Sequence, residues 1–156
     1  MPMLPTVIEN TGDRFAAFQA ALTAALTTRQ VFPGFMPSSA RNQAELNAGV
    51  VNIVLRDEKD YGQGRGQTAR SGTTGLTLIC HLQVAQPDGC DRAALSNDVR
   101  AAELALLEEI KTFCRSNPVP GLEVLLTETQ FSRQLEAPMG WLVMDIELRP
   151  PLAATH

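Results

Sequence analysis

Asp57, Glu58 and Asp60 crowd into one short run, and clustered carboxylates of this kind can hold a hard cation. Lys59 interrupts them, and their spacing matches no cation-loop template, so a solvated strand end is the simpler reading. His81 stands mid-strand on the less apolar face, without a convergent set of partners around it. The only other histidine, His156, is the last residue. Gly62, Gly64 and Gly66 look like a phosphate-cradling loop, but that chemistry needs a helix to start directly after the glycines, and here a strand follows. Cys80, Cys90 and Cys114 are odd in number and show no CxxC spacing, which points to reduced, structural thiols rather than a disulfide framework or a zinc site. No catalytic, cofactor-binding or metal-binding residue is expected.

A helix over 11–29 has Thr11 as N-cap, Asp13 in its first turn and Arg29 in its last, with Phe15, Phe18, Leu22 and Leu26 as its apolar stripe. Residues 30–49 are punctuated by Pro33, Gly34 and Pro37, and a short helical turn fits 40–46. Strands are predicted over 50–56 and 74–85. In the second, Leu76, Leu78, Cys80, Leu82 and Val84 alternate with more polar residues, as a sheet with one buried face requires. The segment 57–72 between them, DEKDYGQGRGQTARSG, is too glycine-rich for a regular element and reads as a long flexible hairpin loop.

After a turn at 87–89, Asp91 caps a helix over 92–115 whose stripe is Leu95, Val99, Ala102, Leu106, Ile110 and Phe113, widened by Leu104 and Leu107. Strands over 122–133 and 140–149 follow, joined by a turn at 138–140, with Leu142, Met144, Ile146 and Leu148 inward and Asp145, Glu147 and Arg149 outward. Pro150 and Pro151 end the last strand, leaving 150–156 as a mobile tail. The expected fold is α+β in the order α-β-β-α-β-β, two helices on one face of a four-stranded, mainly antiparallel sheet. Phe131 and Trp141 flank the last hairpin, as core or as a subunit contact.

A chain of 156 residues is long enough for one domain with a real core. Its net charge of −4 argues against a general nucleic-acid binder. No apolar run approaches the roughly 18 to 20 residues that span a bilayer, and no secretory signal opens the chain. The cytoplasm suits such a protein.

The stretches FxxFxxxL (Phe15, Phe18, Leu22), GLTLICHLQV after a long Gly/Arg/Asp loop, AAELALLEEIKTF, and TETQFSRQLEAPMGWLVMDIELR, in that order, resemble the tail terminator (minor tail protein U-like) family of long-tailed phages over 11–149. The resemblance implies a homo-hexameric ring that caps the tail tube, stops its polymerisation and offers a surface to a head-side connector protein. DNA would pass through the ring without specific binding. The chain would belong to the virion, at the head-proximal end of the tail, after assembly in the host cytoplasm. It also implies that the loop 57–72 meets the tail tube protein or an adjacent subunit, with Lys59, Tyr61, Arg65 and Arg70 as contacts. Alternatives are a head–tail connector or other tail-completion protein, a small metal-dependent α+β enzyme using Asp57, Asp60 and His81, and a dimeric ligand-binding module.

Overall fold

The computed structural model describes residues 7–61, 72–86 and 88–151. Alternation of buried and half-exposed positions makes the strands, and stripes at helical spacing make the helices. The order is α1 (Thr11–Ala25), β1 (Gln30–Pro33), a 3-10 turn (Ser38–Ala40), α2 (Gln43–Ala48), β2 (Val50–Lys59), β3 (Thr73–Gln83), α3 (Arg92–Arg115), β4 (Glu123–Phe131) and β5 (Met139–Arg149). The sheet order is β1-β2-β3-β5-β4. β1 runs parallel to β2, and every other neighbouring pair is antiparallel.

The α+β class holds, but the sheet has five strands and is mixed, and three α-helices are described rather than two. The extra strand and helix both come from 30–49, read from sequence as punctuation. Gln30–Pro33 is too short to announce itself by alternation. It forms a strand because β2 supplies a ladder for it, with Gln30 opposite Val50 and Pro33 opposite Ile53. α2 is closed at its start by a capping box, in which Asn42 accepts from Glu45 N and Glu45 reaches back to Asn42 N. It ends at Gly49, whose φ of 91° favours glycine and whose missing Cβ leaves room for Arg29 Nη1, 2.8 Å from where that atom would lie.

Other bounds shift for physical reasons. α1 stops at Ala25, so Arg29 is not in its last turn. Arg29 instead pairs with Glu109 of α3 and donates to Ala48 O at 3.0 Å. The N-cap of α1 is Asn10, which accepts from Asp13 N at 3.0 Å; Thr11 is turned to another task. β2 runs on to Lys59, so Asp57–Lys59 belong to the strand and not to the loop. Residues 62–71 of that loop and 152–156 of the expected tail lie outside the described residues. The last hairpin turns over 132–138, and Gly140 is inside β5. α3 has the predicted bounds, with Asp91 accepting from Ala94 N at 2.7 Å.

α1 and α3 cover one face of the sheet. Phe18, Leu22, Leu106, Ile110 and Phe113 from the helices meet Val51, Ile53, Leu76, Leu78, Leu142, Met144, Ile146 and Leu148 from the strands in one cluster. The Phe18 and Phe113 rings meet edge-on with centroids 5.5 Å apart. Leu107 joins this core, whereas Leu104 remains 43% exposed, so the α3 stripe widens on one side only. The 3-10 turn and α2 lie toward the opposite face, where Arg41 donates to Asn52 Oδ1 at 2.7 Å and stacks over the Phe32 ring. Cys80 and Cys114 are buried free thiols whose pKa values are pushed up by burial to about 12 and about 11.

Leu106 has no exposed surface at all and sits between α3 and the sheet. Leu106→Ala is expected to cost about 2 to 5 kcal/mol, read as a shift in the urea midpoint at unchanged slope. A loss below about 1 kcal/mol would mean that this face of α3 does not bear on the sheet.

Candidate assembly surface

The stem of the β2–β3 hairpin is built around Glu58. Its carboxylate accepts from Thr11 Oγ1 at 2.7 Å, Tyr61 OH at 2.7 Å and Thr74 Oγ1 at 2.9 Å. Arg14 Nη1 stands 4.0 Å away. Arg14 is fully buried and donates to the carbonyls of Ile8 and Gly72 and to Thr74 Oγ1. One cation of α1 thus ties together the segment before the helix, the start of β3 and the end of β2. Burial pulls the Arg14 pKa down against the opposing charge of Glu58. Burial would by itself raise the pKa of Glu58, but hydrogen bonds from Thr11, Tyr61 and Thr74 and the charge of Arg14 outweigh it and leave it below its ordinary value.

A carboxylate with a lowered folded pKa stabilises the fold above its unfolded value, and that contribution is lost as pH falls through the folded value. The acid limb of the stability curve should therefore steepen below the ordinary glutamate value of 4.5. Glu58→Gln is expected to flatten that limb while lowering stability at neutral pH. Acid titrations of the two proteins that superimpose after scaling would show that Glu58 carries no such linkage.

Of the residues expected at the loop, two are described. Lys59 pairs with Glu147 of β5 at 3.0 Å, and this contact holds its pKa above the usual lysine value. Tyr61, 52% exposed, donates to Glu58, which raises its own pKa. Lys59 ties the hairpin stem to β5, and Tyr61 closes onto Glu58 within the stem. Arg65 and Arg70 lie outside the described residues.

The residues named for metal chemistry are not brought together. Glu58 is spent on the hairpin stem, and Asp57 pairs with Arg56 at 3.4 Å. His81 lies opposite Val50 and Trp141, whereas Asp57 lies opposite Gly75, six positions along β3. At about 3.3 Å per residue the two are roughly 20 Å apart. His81 is half-buried, and burial together with the charge of Arg41 lowers its pKa. Phe35 approaches it with ring centroids 6.0 Å apart. Among the described residues no three His, Cys, Asp or Glu side chains converge as a metal set.

Beyond the hairpin stem, the sheet has two edges that differ. β1 covers only Val50–Ile53, so Val54–Lys59 of β2 have no strand on that side among the described residues. Leu55 faces the helix layer opposite the buried Leu76, yet is itself 50% exposed. At the far edge, β4 pairs only with β5. Between β4 and the end of α3 runs a groove of about 590 Å³, lined by Val124 and Leu126 and rimmed by Lys111, Arg115 and Arg149. Register bulges interrupt β2 after Leu55 and β4 after Leu126, which narrows the registers in which either edge can pair. Phe131 and Leu135, near the turn of the last hairpin, are also exposed, whereas Trp141 is half-buried opposite His81.

No protein-family model and no curated protein matches this sequence. The surface is defined by its own geometry. Sequence reasoning missed its two buried charged anchors, Arg14 at the first hairpin and Glu103 at the second. Glu103, fully buried on α3, accepts from Ser132 Oγ, from Gln134 Nε2 at 3.0 Å and from Trp141 N at 3.0 Å. It approaches β5 so closely that a Cβ on Gly140 would come within 2.7 Å of Glu103 Oε2. The available signal was spacing: Arg14 precedes Phe18 and Leu22 by whole helical turns, and Glu103 falls between Val99 and Leu106 on the buried stripe. Among the described residues no helix is long and apolar enough to cross a membrane.

Proposed function

We propose that this chain is a structural assembly subunit, a phage tail terminator that closes into a homo-hexameric ring on the end of the tail tube. The observation that carries this reading is the pair of unlike open edges on one rigid sheet. A contact between two different patches propagates head to tail and makes a ring when the rotation closes. Two patches that match themselves would make a two-fold dimer instead.

The anchored hairpin stem supports the second half of the reading. Arg14 and Glu58 fix where the β2–β3 connection leaves the fold, so its residues, Arg65 and Arg70 included, would be presented to the tube end from a firm base. Lys59 and Tyr61 serve the stem, with the exposed ring of Tyr61 also available to a neighbour. On this reading the opposite side of the ring meets the head-side connector, and DNA passes through without specific binding because the chain is acidic.

The test is made on particles and on the purified chain. Light scattering and negative-stain images are expected to show a six-fold ring, alone or on added tube protein. Tails assembled without the protein should run over-long. Normal-length tubes that fail to join heads would instead identify a connector. Replacing Arg65 and Arg70 together by Ala should leave the melting temperature unchanged and impair joining. A sharp fall in melting temperature would assign the two arginines to the fold.

A further inference from the structure

One open edge carries the exposed Leu55, and the other borders a groove lined by Val124 and Leu126. We infer that the β2 edge of one copy, from Val54 to Asp60, pairs with the β4 edge of a second copy, seating Leu55 in the groove between β4 and α3. This inference rests on the ring reading above and specifies its subunit contact.

The strand directions permit it. β2, β3, β5 and β4 alternate in direction, so β4 runs opposite to β2. A neighbour's β2 laid beside β4 in the same sheet sense is therefore antiparallel to it and extends the ladder across the joint. The side chains fall on matching faces. Leu55 lies on the helix side of the sheet, opposite Leu76. The groove opens on that same side, with Val124 as a buried floor residue and Leu126 half-buried beside it. Half of Leu55 is exposed in the single chain, and its volume of water-facing surface is what the groove would remove from solvent.

The charges at the two edges suit this register. With Leu55 beside Leu126 in an antiparallel pair, Asp57 and Asp60 fall toward the Glu123 end of β4, with Asp57 on the face away from the helices, the side of Arg149 rather than of Arg115. Arg149 and Arg115 stand at that end. Glu123 is already neutralised by Arg149 at 2.9 Å. Arg115 makes no ion pair or side-chain hydrogen bond among the described residues, although it lies in a chain of net charge −4. On the other side, Asp57 and Asp60 are exposed. Lys59 and Arg56 are held by Glu147 and Asp145 of their own sheet, so they do not oppose the approach.

The experiment uses the full chain and two variants, Leu55→Arg and Arg115→Glu. Both positions are exposed, and circular dichroism melts should match wild type. Light scattering over a concentration series is expected to show assembly of the wild type and association at least about tenfold weaker for each variant alone. An equimolar mixture of the two should recover assembly. In an alternating arrangement one joint is then intact on both sides, and the next sets the two introduced, opposite charges against each other. Recovery on mixing is expected only if the two residues lie on opposite sides of one joint.

Wild-type assembly unchanged in both variants would overturn this contact and leave the ring reading standing if six-fold rings are still seen. A mixture that stays dissociated would overturn it too. A wild type that remains monomeric both alone and on added tube protein would overturn the contact, while the over-long-tail assay continues to test the terminator reading separately. A two-fold dimer in place of a ring would overturn both.

Discussion

Arg14→Ala is expected to remove about 3 to 5 kcal/mol of stability, the cost of breaking a buried charged network by deleting one partner. The guanidinium is fully buried and serves two carbonyls, those of Ile8 and Gly72, as well as the hydroxyl of Thr74. Its loss leaves those buried acceptors without this donor. It also leaves Glu58, whose side chain is 19% exposed, without its nearest cation. For a chain of this size the melting temperature should fall by roughly 6 to 20 °C. Arg14→Lys should rescue only part, because an ammonium is a compact point charge and cannot reproduce the fork that spans Ile8 and Gly72. The effects of Arg14→Ala and Glu58→Gln should fall short of additive, since both remove the same contact. A loss under about 1 kcal/mol for Arg14→Ala would mean that the hairpin stem is held by packing alone.

Glu103→Ala should be nearly as damaging, at about 3 kcal/mol or more. The carboxyl gathers the Ser132 hydroxyl, the Gln134 amide and the Trp141 backbone amide, so its loss removes the acceptor of three donors at once. Gln134 is half-buried and can turn to water; Ser132 is buried, and the amide of Trp141 lies within the strand pairing. Glu103→Gln keeps an acceptor oxygen and should cost much less. Hydrogen exchange at the Trp141 amide distinguishes a local role from a global one. It is expected to speed up in Glu103→Ala by more than the global loss of stability explains. An unchanged exchange rate at that amide would show that the carboxyl does not hold the second hairpin.

Much of the fold was legible in the residues. α3 begins and ends where its stripe and Asp91 place it, and β5 alternates as its residues predict. Both follow from a local rule, since helical and strand periods are set by the chain's own geometry. The four-residue β1 was not legible, because its strand character comes from a ladder on β2 rather than from its own alternation. The N-cap was missed by one residue for a similar reason. Thr11 is a good cap by type, but its hydroxyl is committed to Glu58, distant in sequence, and Asn10 takes the cap.

The same division applies to the candidate surface. The sequence by itself determined the class of fold, the buried faces of α3, β3 and β5, and the glycine-rich connection that sets the β2–β3 hairpin apart. Tertiary structure alone decided that Arg14 and Glu103 are anchors, that Asp57 and His81 are far apart, and that the sheet ends in a knob at Leu55 and a groove beside β4. The physical reason is that periodicity is a property of neighbours along the chain. A buried charge, an open edge or a groove is a property of what the rest of the chain leaves uncovered, and that depends on contacts between residues tens of positions apart.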